Sequence, residues 1–208
     1  VRDVLRHEVA VLIHAPSGRL VNASGVQTAT VLDELYATAA SAELGVSWRD
    51  GTPSVRVWAP TARHVTLLLW PGERPLEDGP LRFGMERSDD GTWAAAGHPD
   101  WRGARYQYLV RVYSPTFRRI VENRVTDPYS VALTVNSTHS VMIDLDDPEF
   151  MPQEWVTAAQ PRLASPVDQV IYELHVRDFS MADDSLPADV RGTYMAFAHD
   201  GLGTRHLR

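Results

Sequence analysis

Two stretches of the sequence decide the fold: His64-Val65-Thr66-Leu67-Leu68-Leu69-Trp70 and Tyr106-Gln107-Tyr108-Leu109-Val110-Arg111-Val112-Tyr113. In both, apolar residues recur at every second position over most of the length. Successive side chains of a strand point to opposite faces, so this period predicts strands with one face in a core. Shorter segments with the same signal predict further strands at residues 46–48, 54–58, 84–87, 92–96, 120–123 and 141–144.

Turn-forming residues separate these strands at short intervals. Glycine, proline and aspartate each offer a physical means of reversing the chain. They lie between the predicted strands at Asp50-Gly51, Pro71-Gly72, Asp78-Gly79-Pro80, Asp89-Asp90-Gly91 and Arg102-Gly103. Short strands separated in this way are typical of a β-sandwich. We therefore predict a mainly β chain, with the sandwich over residues 46–147.

The first 45 residues predict a small α+β segment. Residues 8–13 and 19–21 predict a hairpin around the turn Ala15-Pro16-Ser17-Gly18. Thr30-Val31-Leu32-Asp33 has the spacing of a capping box and predicts a helix over residues 31–44. Gly45 stands where a C-terminal cap belongs. Nothing in residues 1–45 carries recognisable chemistry, so we predict a packing role for this segment.

Composition excludes several classes of function. The 208 residues carry a net charge of -7, which argues against a nucleic-acid or anionic-membrane surface. The absence of cysteine excludes disulfides and thiolate metal sites. All 20 basic residues are arginine, which favours a GC-rich, bacterial coding sequence. The apolar run at residues 9–13 is too short to span a membrane, and composition does not distinguish a cytoplasmic from a secreted protein.

A later stretch has two different faces: Val170-Ile171-Tyr172-Glu173-Leu174-His175-Val176-Arg177-Asp178-Phe179. Mostly apolar side chains alternate with mostly charged ones, and turn-prone residues follow. The pattern predicts a strand over residues 170–179. Charge on a buried face is costly unless it is paired or lines a site, so this strand first suggests the wall of an active site.

Four motifs carry a resemblance to a known family. In chain order they are Val55-Arg56-Val57-Trp58-Ala59-Pro60-Thr61-Ala62, Asp89-Asp90-Gly91-Thr92-Trp93, Tyr106-Gln107-Tyr108 and Thr126-Asp127-Pro128-Tyr129-Ser130. Their order and spacing resemble the immunoglobulin-like starch- and glycogen-binding module. That module precedes the catalytic barrel in debranching and branching enzymes of the α-amylase family. The resemblance implies an immunoglobulin-like form for the predicted sandwich.

Further motifs narrow the resemblance to one branch of that family. They are Leu44-Gly45-Val46-Ser47-Trp48, Asn136-Ser137-Thr138, Leu145-Asp146-Asp147-Pro148, the Tyr172–Ser180 stretch and Arg191-Gly192-Thr193-Tyr194 with Ala196-Phe197. They are similar to bacterial pullulanases, which hydrolyse α-1,6-glucosidic links in pullulan, limit dextrin or starch. Isoamylases and branching enzymes diverge from this pattern around residues 174–180.

The resemblance also implies a domain organisation. Residues 1–45 would form the N-terminal segment, 46–147 the carbohydrate-binding-type sandwich and 148–169 a linker. Residues 170–208 would begin a catalytic (β/α)₈ barrel, with its first strand at 170–179 and its first helix from Gly203. Glu173, His175 and Arg177 would then support or line that barrel.

No catalytic residue can be assigned in this sequence. The family's retaining mechanism needs an Asp nucleophile, a Glu acid/base and a further Asp, with the first two carboxyls about 5–5.5 Å apart. In the family these residues lie on later barrel strands, and their motifs do not occur here. The expectation is that the chain alone does not hydrolyse glycosidic bonds.

We also predict no metal site and no cofactor for this chain. Asp146-Asp147 with Glu149, and Asp183-Asp184, are typical of solvated turns, with calcium ligation as the alternative reading. Calcium binding elsewhere in the pullulanase-type enzyme that the resemblance implies stays an open alternative. The histidines His139, His175, His199 and His206 lack the spacing of metal ligands.

Three tryptophans are candidates for stacking on glucan rings: Trp70, Trp93 and Trp101. Trp70 and Trp101 stand beside turn residues and are expected to be exposed. The alternative is that such aromatics fill the core between the sheets. Glycogen-binding relatives place a lysine just after the Tyr-x-Tyr strand, where this chain has Leu109, and that departure weakens the stacking hypothesis.

Two hypotheses follow for the whole chain. In the first, it is the N-terminal scaffold of a pullulanase-type enzyme and docks on the catalytic barrel of the same polypeptide. In the second, it is a free-standing α-glucan-binding module without catalysis. Neither hypothesis involves nucleic acid or a membrane.

Overall fold

The computed structural model describes residues 1–159 and 162–208. By its internal contacts the chain divides into two compact units, Val1–Val156 and Thr157–Arg208. Two residues of the predicted linker, 160 and 161, lie outside the described residues. The predicted boundaries after residues 45, 147 and 169 stay predictions.

Short strands dominate the first unit. Eleven strands and one α-helix follow one another in chain order: β1 (Ala10–His14), β2 (Leu20–Gly25), α1 (Ala29–Leu35), β3 (Gly45–Arg49), β4 (Thr52–Trp58), β5 (His64–Trp70), β6 (Leu81–Gly84), β7 (Glu86–Arg87), β8 (Thr92–Ala96), β9 (Arg105–Ser114), β10 (Arg119–Val125) and β11 (Ser140–Val141). The prediction of a mainly β fold is confirmed.

Strands β3 to β11 form two antiparallel sheets. One sheet has the order β3-β4-β8-β7, and the other has the order β10-β9-β5-β6 with β11 paired to β9. Both sheets contribute to a single core, which fits the layered arrangement of a sandwich. Its buried residues are Val55, Val57, Ala62, Val65, Leu67, Leu69, Met85, Trp93, Trp101, Ala104, Tyr106, Tyr108 and Met142.

The register between β5 and β9 explains how the two deciding stretches build this core. Leu67 pairs with Tyr108 and Leu69 pairs with Tyr106. Paired residues of an antiparallel sheet point to the same face, so both pairs project into the core and are fully buried. The alternation read from the sequence therefore places one face of each strand between the sheets.

The N-terminal segment differs in part from its prediction. The hairpin is present as β1 and β2. The helix is shorter than predicted, because α1 ends at Leu35 and the chain continues as a 3₁₀ turn over Ala37–Ser41. The predicted capping box at Thr30 is wrong, since Thr28 is the N-cap and makes no side-chain cap hydrogen bond. Gly45 begins β3 and is not a helix cap.

The second unit contains no strand within its described residues. Its helices are α2 (Val176–Ser180) and α3 (Leu202–His206), with 3₁₀ turns at Pro166–Asp168 and Tyr194–Ala198. The prediction of a strand over residues 170–179 is wrong, because Val170 and Ile171 are 95% and 88% exposed without regular structure. A strand needs a neighbour to pair its N–H and C=O groups, and the described residues of the second unit supply none. The predicted start of a barrel is therefore not observed.

Asp183 organises the fold of the second unit. Its carboxylate accepts hydrogen bonds from Leu202 N at 2.7 Å and from Ser185 N at 3.0 Å. The first of these bonds fixes the start of α3 against the preceding loop. Phe179 of α2 and Phe197 stack in parallel, with ring centroids 4.7 Å apart.

Across the described residues of the chain, no helix has the length and apolar character to span a membrane.

Candidate functional site

The three tryptophans singled out in the sequence are buried. Trp70, Trp93 and Trp101 are 3%, 5% and 7% exposed. The prediction that Trp70 and Trp101 are exposed is wrong. Side chains this deeply packed present no free ring face for stacking, which agrees with the alternative that they fill the core.

Contacts at the ends of the strands account for this burial. Trp93 donates its indole N–H to Ala59 O at 3.0 Å. Trp101 packs against Phe83 with ring centroids 4.8 Å apart. The rings of Trp70 and His139 are in edge-to-face contact, with their centroids 4.8 Å apart. Burial and two nearby arginines lower the pKa of His139. A loop thus covers Trp70, although the sequence places it beside a turn.

A buried carboxylate forms the centre of the polar structure in the first unit. Asp127 is 4% exposed and accepts hydrogen bonds from Tyr106 Oη at 2.8 Å and Tyr108 Oη at 3.0 Å. It also accepts a bond from Tyr129 N at 2.9 Å, and its own N–H donates to Ser140 Oγ. The cluster joins β9, β11 and the loop after β10.

The chemistry of this cluster is structural. Burial and the adjacent Asp127 carboxylate raise the pKa of Tyr106 and of Tyr108, so both hydroxyls stay protonated and act as donors. A carboxylate whose oxygens are occupied by three donors is not free to act as a base or nucleophile. What the cluster does is hold the Asp127–Tyr129 turn in one place.

That turn contributes to a groove between α1, the following 3₁₀ turn and the sandwich. The groove has a volume of about 330 Å³. Its walls are mostly apolar, and we call it the aromatic groove after its three aromatic rings. They are Tyr36, Trp58 and Tyr129, and the remaining lining comes from Leu44, Asp33 and alanines of the 3₁₀ turn.

Hydrogen bonds anchor each of the three aromatic residues of the groove, through the side chain or through the backbone. Trp58 donates its indole N–H to Asp90 O at 3.2 Å. Tyr36 accepts a hydrogen bond from Arg87 Nη2 at 3.1 Å. Tyr129 is fixed through its backbone N–H to Asp127. The side chains of Trp58 and Tyr36 are therefore positioned before any ligand arrives, and the backbone of Tyr129 is anchored.

Close approach of glycines allows the walls of the groove to meet. A Cβ on Gly45 would lie 3.1 Å from Tyr129 Cβ, and one on Gly91 would lie 3.0 Å from Tyr36 Cδ1. Both glycines also have positive φ, at 86° and 79°. Any larger residue there would push an aromatic ring out of position.

Sequence reasoning missed the aromatic groove. Neither Trp58 nor Tyr129 is among the stacking candidates predicted from the sequence. The structure leaves Trp58 half-buried and Tyr129 37% exposed. The signal that could have identified them is position, since Trp58 ends β4 just before Pro60 and Tyr129 follows Pro128.

Members of both acidic clusters have partners within the protein. Arg102 donates to Asp147 Oδ2 at 3.0 Å and to Glu149 Oε2 at 2.6 Å. Asp184 pairs with Arg191 at 2.7 Å. Within residues 1–159 and 162–208, no three histidine, aspartate or glutamate residues come together as a possible metal site.

Comparison with known proteins gives consistent matches. The sequence profile of the family Carbohydrate-binding module 48 (Isoamylase N-terminal domain) matches residues 43–130. A pullulanase of Klebsiella pneumoniae is 36% identical over the whole of this chain, which covers 19% of that protein. The chloroplastic pullulanase 1 of Arabidopsis thaliana is 33% identical over the whole chain, which covers 22% of it.

Comparison with solved structures also finds pullulanases. The crystal structure of Klebsiella pneumoniae pullulanase complexed with maltotriose superposes with a TM-score of 0.86 at 33% identity. The match covers 99% of this chain and 20% of that one. The chain thus spans about a fifth of the length of the relatives it matches.

Proposed function

Because the chain carries a carbohydrate-binding module 48 domain and is homologous along its length to the N-terminal regions of pullulanases, we propose that it acts as an accessory region of a pullulanase-type enzyme. The reaction of that enzyme would be hydrolysis of α-1,6-glucosidic links in pullulan, limit dextrin or starch. The role of residues 1–208 would be to support a catalytic domain.

One observation carries this proposal above the others. The chain matches the Klebsiella pneumoniae pullulanase over its full length in sequence, and it matches the pullulanase crystal structure over 99% of its length. A match confined to residues 43–130 would fit any protein with such a module. The agreement extends to the N-terminal segment and the second unit, which supports descent from the same arrangement of domains.

The second unit supplies physical support for docking within one polypeptide. Val167, Val170 and Ile171 are 88%, 95% and 88% exposed, and they lie close together in the sequence. Exposed apolar residues in such a run are costly in water and favour an additional covering surface. In the proposed enzyme, residues 170–208 would begin the (β/α)₈ barrel, whose other strands would pair with residues 170–175.

Glucan binding without catalysis is the second candidate. The aromatic groove favours it, since a concave apolar surface with polar groups at its rim is what small-ligand sites present. The matching family is named for carbohydrate binding, which agrees with this reading. The two candidates differ in whether the second unit has a barrel to join.

Extending the coding sequence beyond Arg208 tests the first candidate. We expect an open reading frame for a (β/α)₈ barrel containing the two catalytic carboxylates and the third aspartate. The extended product should release reducing sugar from pullulan, and the 208-residue chain assayed beside it should not. A reading frame that closes without a barrel would defeat the enzyme proposal and leave the binding module.

A further inference from the structure

We propose that the aromatic groove binds one glucose residue of an α-glucan chain. This inference rests on the proposed function for its ligand class, and it places the contact away from Trp70, Trp93 and Trp101. Both Trp58 and Tyr129 lie within the residues that match the carbohydrate-binding module. The groove combines an apolar floor, a polar rim and two aromatic side chains that are fixed in advance.

The floor of the groove fits the apolar face of a sugar ring. A glucose ring presents C–H groups on its faces and hydroxyl groups around its edge. The positive C–H edges are attracted to the negative faces of aromatic rings, which adds to the burial of apolar area. Trp58 and Tyr129 line the groove and are not fully buried, so part of each side chain stays accessible to a ligand.

The rim of the groove offers acceptors for sugar hydroxyls. Asp33 lies on the exposed side of α1, and its carboxylate has no hydrogen-bond or ion-pair partner among the described residues. The hydroxyl of Tyr129 likewise has no partner there, and burial followed by the Asp127 charge raises its pKa. A hydroxyl bonded to a carboxylate is a stronger contact than one between neutral groups.

The side chains of Trp58 and Tyr36 need little reordering when a ligand enters. Hydrogen bonds to Asp90 O and from Arg87 hold Trp58 and Tyr36, and Asp127 holds the backbone of Tyr129. Fixing a mobile side chain on binding costs about 0.5–1.5 kcal/mol, and a ring held in advance avoids most of this. This arrangement distinguishes the groove from a chance apolar surface.

The size of the groove limits the ligand. Its volume of about 330 Å³ lies at the small end of ligand sites, which span roughly 300–1,000 Å³. A single sugar residue fits this volume, and the rest of a glucan chain would extend into solvent. The Asp33 carboxylate at the rim disfavours an anionic ligand, and the aromatic rings favour a ligand with C–H faces, such as a sugar.

A nuclear magnetic resonance titration of the 208-residue chain with maltoheptaose tests the proposal. The indole N–H resonance of Trp58 should shift in a saturable way, with a dissociation constant roughly in the millimolar range expected for so small a contact. The indole of Trp155, 68% exposed and outside the groove, serves as an internal control and should not move. Cellohexaose, with β-1,4 links, tests whether the linkage matters and should shift Trp58 less.

Substitutions separate the groove from other surfaces. Tyr129→Ala should weaken maltoheptaose binding about tenfold, the loss expected for one stacked ring. Asp33→Asn, on the exposed face of a helix, should weaken it by a smaller factor of roughly threefold. Tyr194→Ala is the matched control, since Tyr194 is 80% exposed in the second unit and should leave binding unchanged.

Two results would overturn the proposal. One is the absence of any Trp58 shift at maltoheptaose concentrations of about 10 mM, well above the expected dissociation constant. The other is a folded Tyr129→Ala or Asp33→Asn protein that binds as tightly as the unaltered chain. Either result leaves the accessory role standing if the extended enzyme cleaves pullulan. A reading frame without a barrel would instead defeat that role and leave the groove intact.

Discussion

The carboxylate of Asp127 accepts hydrogen bonds from two tyrosine side chains of a distant strand and from a backbone N–H two residues further along the chain. Tyr106 and Tyr108 reach it from β9, and Tyr129 reaches it from the next turn. The motif Thr126–Ser130 marks this region in the sequence, but a motif does not reveal which of its residues is buried. The structure assigns that position to Asp127, which links the sandwich core to the aromatic groove.

Asp127→Ala should lower the free energy of unfolding by about 3 kcal/mol, because two buried tyrosine hydroxyls lose their acceptor. Urea unfolding followed by circular dichroism measures the change. Asp146→Ala is the control, since Asp146 is an exposed aspartate whose side chain makes no bond among the described residues. A difference between the two variants below about 1 kcal/mol would contradict the role of Asp127.

At the scale of elements, the turn between β7 and β8 shows how local sequence and packing combine. Asp90 Oδ1 accepts bonds from Thr92 N at 3.0 Å and Thr92 Oγ1 at 2.7 Å, which close the turn. Gly91 within it has φ 79°, and a Cβ there would lie 2.8 Å from Pro60 Cβ. Turn residues predict the reversal, but the crowding at Gly91 follows from tertiary packing.

Gly91→Ala should destabilise the protein more than Gly103→Ala, by about 1–3 kcal/mol. Both glycines have positive φ, 79° and 75°, so the backbone strain of an alanine is similar at the two sites. Only Gly91 has atoms in the space that a Cβ would fill. Thermal unfolding of both variants measures the difference, and equal midpoints would show that the contact between Gly91 and Tyr36 is unimportant.

The stretch at residues 170–176 shows the limit of a local pattern. Its alternation is as regular as that of β5, yet β5 has β9 and β6 as neighbours and residues 170–175 have none. A lone strand leaves its backbone groups unpaired, and its stability comes from the sheet it joins. The pattern therefore describes what the residues could do in a sheet.

At the scale of the molecule, the core cluster of the sandwich draws on residues from Val55 to Met142. Strand β11 pairs with β9 through Ser140 and Tyr106, and Met142 is fully buried. All of these residues belong to the first unit, Val1–Val156. The stability of that unit should then depend on its own core.

A chain shortened to residues 1–156 should unfold cooperatively in urea, with a free energy within about 1 kcal/mol of the full chain. A chain shortened to residues 1–130 is the matched comparison, because it removes β11 and Met142 from the core. We expect that shorter chain to lose the cooperative transition. Loss of cooperativity already in residues 1–156 would mean that the two units do not fold independently.

The mainly β fold, most strand positions and the resemblance to the N-terminal region of pullulanases follow from the sequence alone. These features depend on alternation, turn residues and motif order, which are local properties of the chain. The predicted helix boundaries were less accurate, since Thr28 and not Thr30 is the N-cap and α1 ends at Leu35, next to the buried Tyr36.

Tertiary structure alone decided which aromatic residues are buried and which line a groove. His139, from the loop after β10, covers Trp70, and Phe83 of β6 packs on Trp101, while Trp58 and Tyr129 line one groove with Tyr36. Burial depends on what packs against a residue, and these partners are not neighbours in the sequence. The candidate site therefore became visible only once the N-terminal segment was packed on the sandwich.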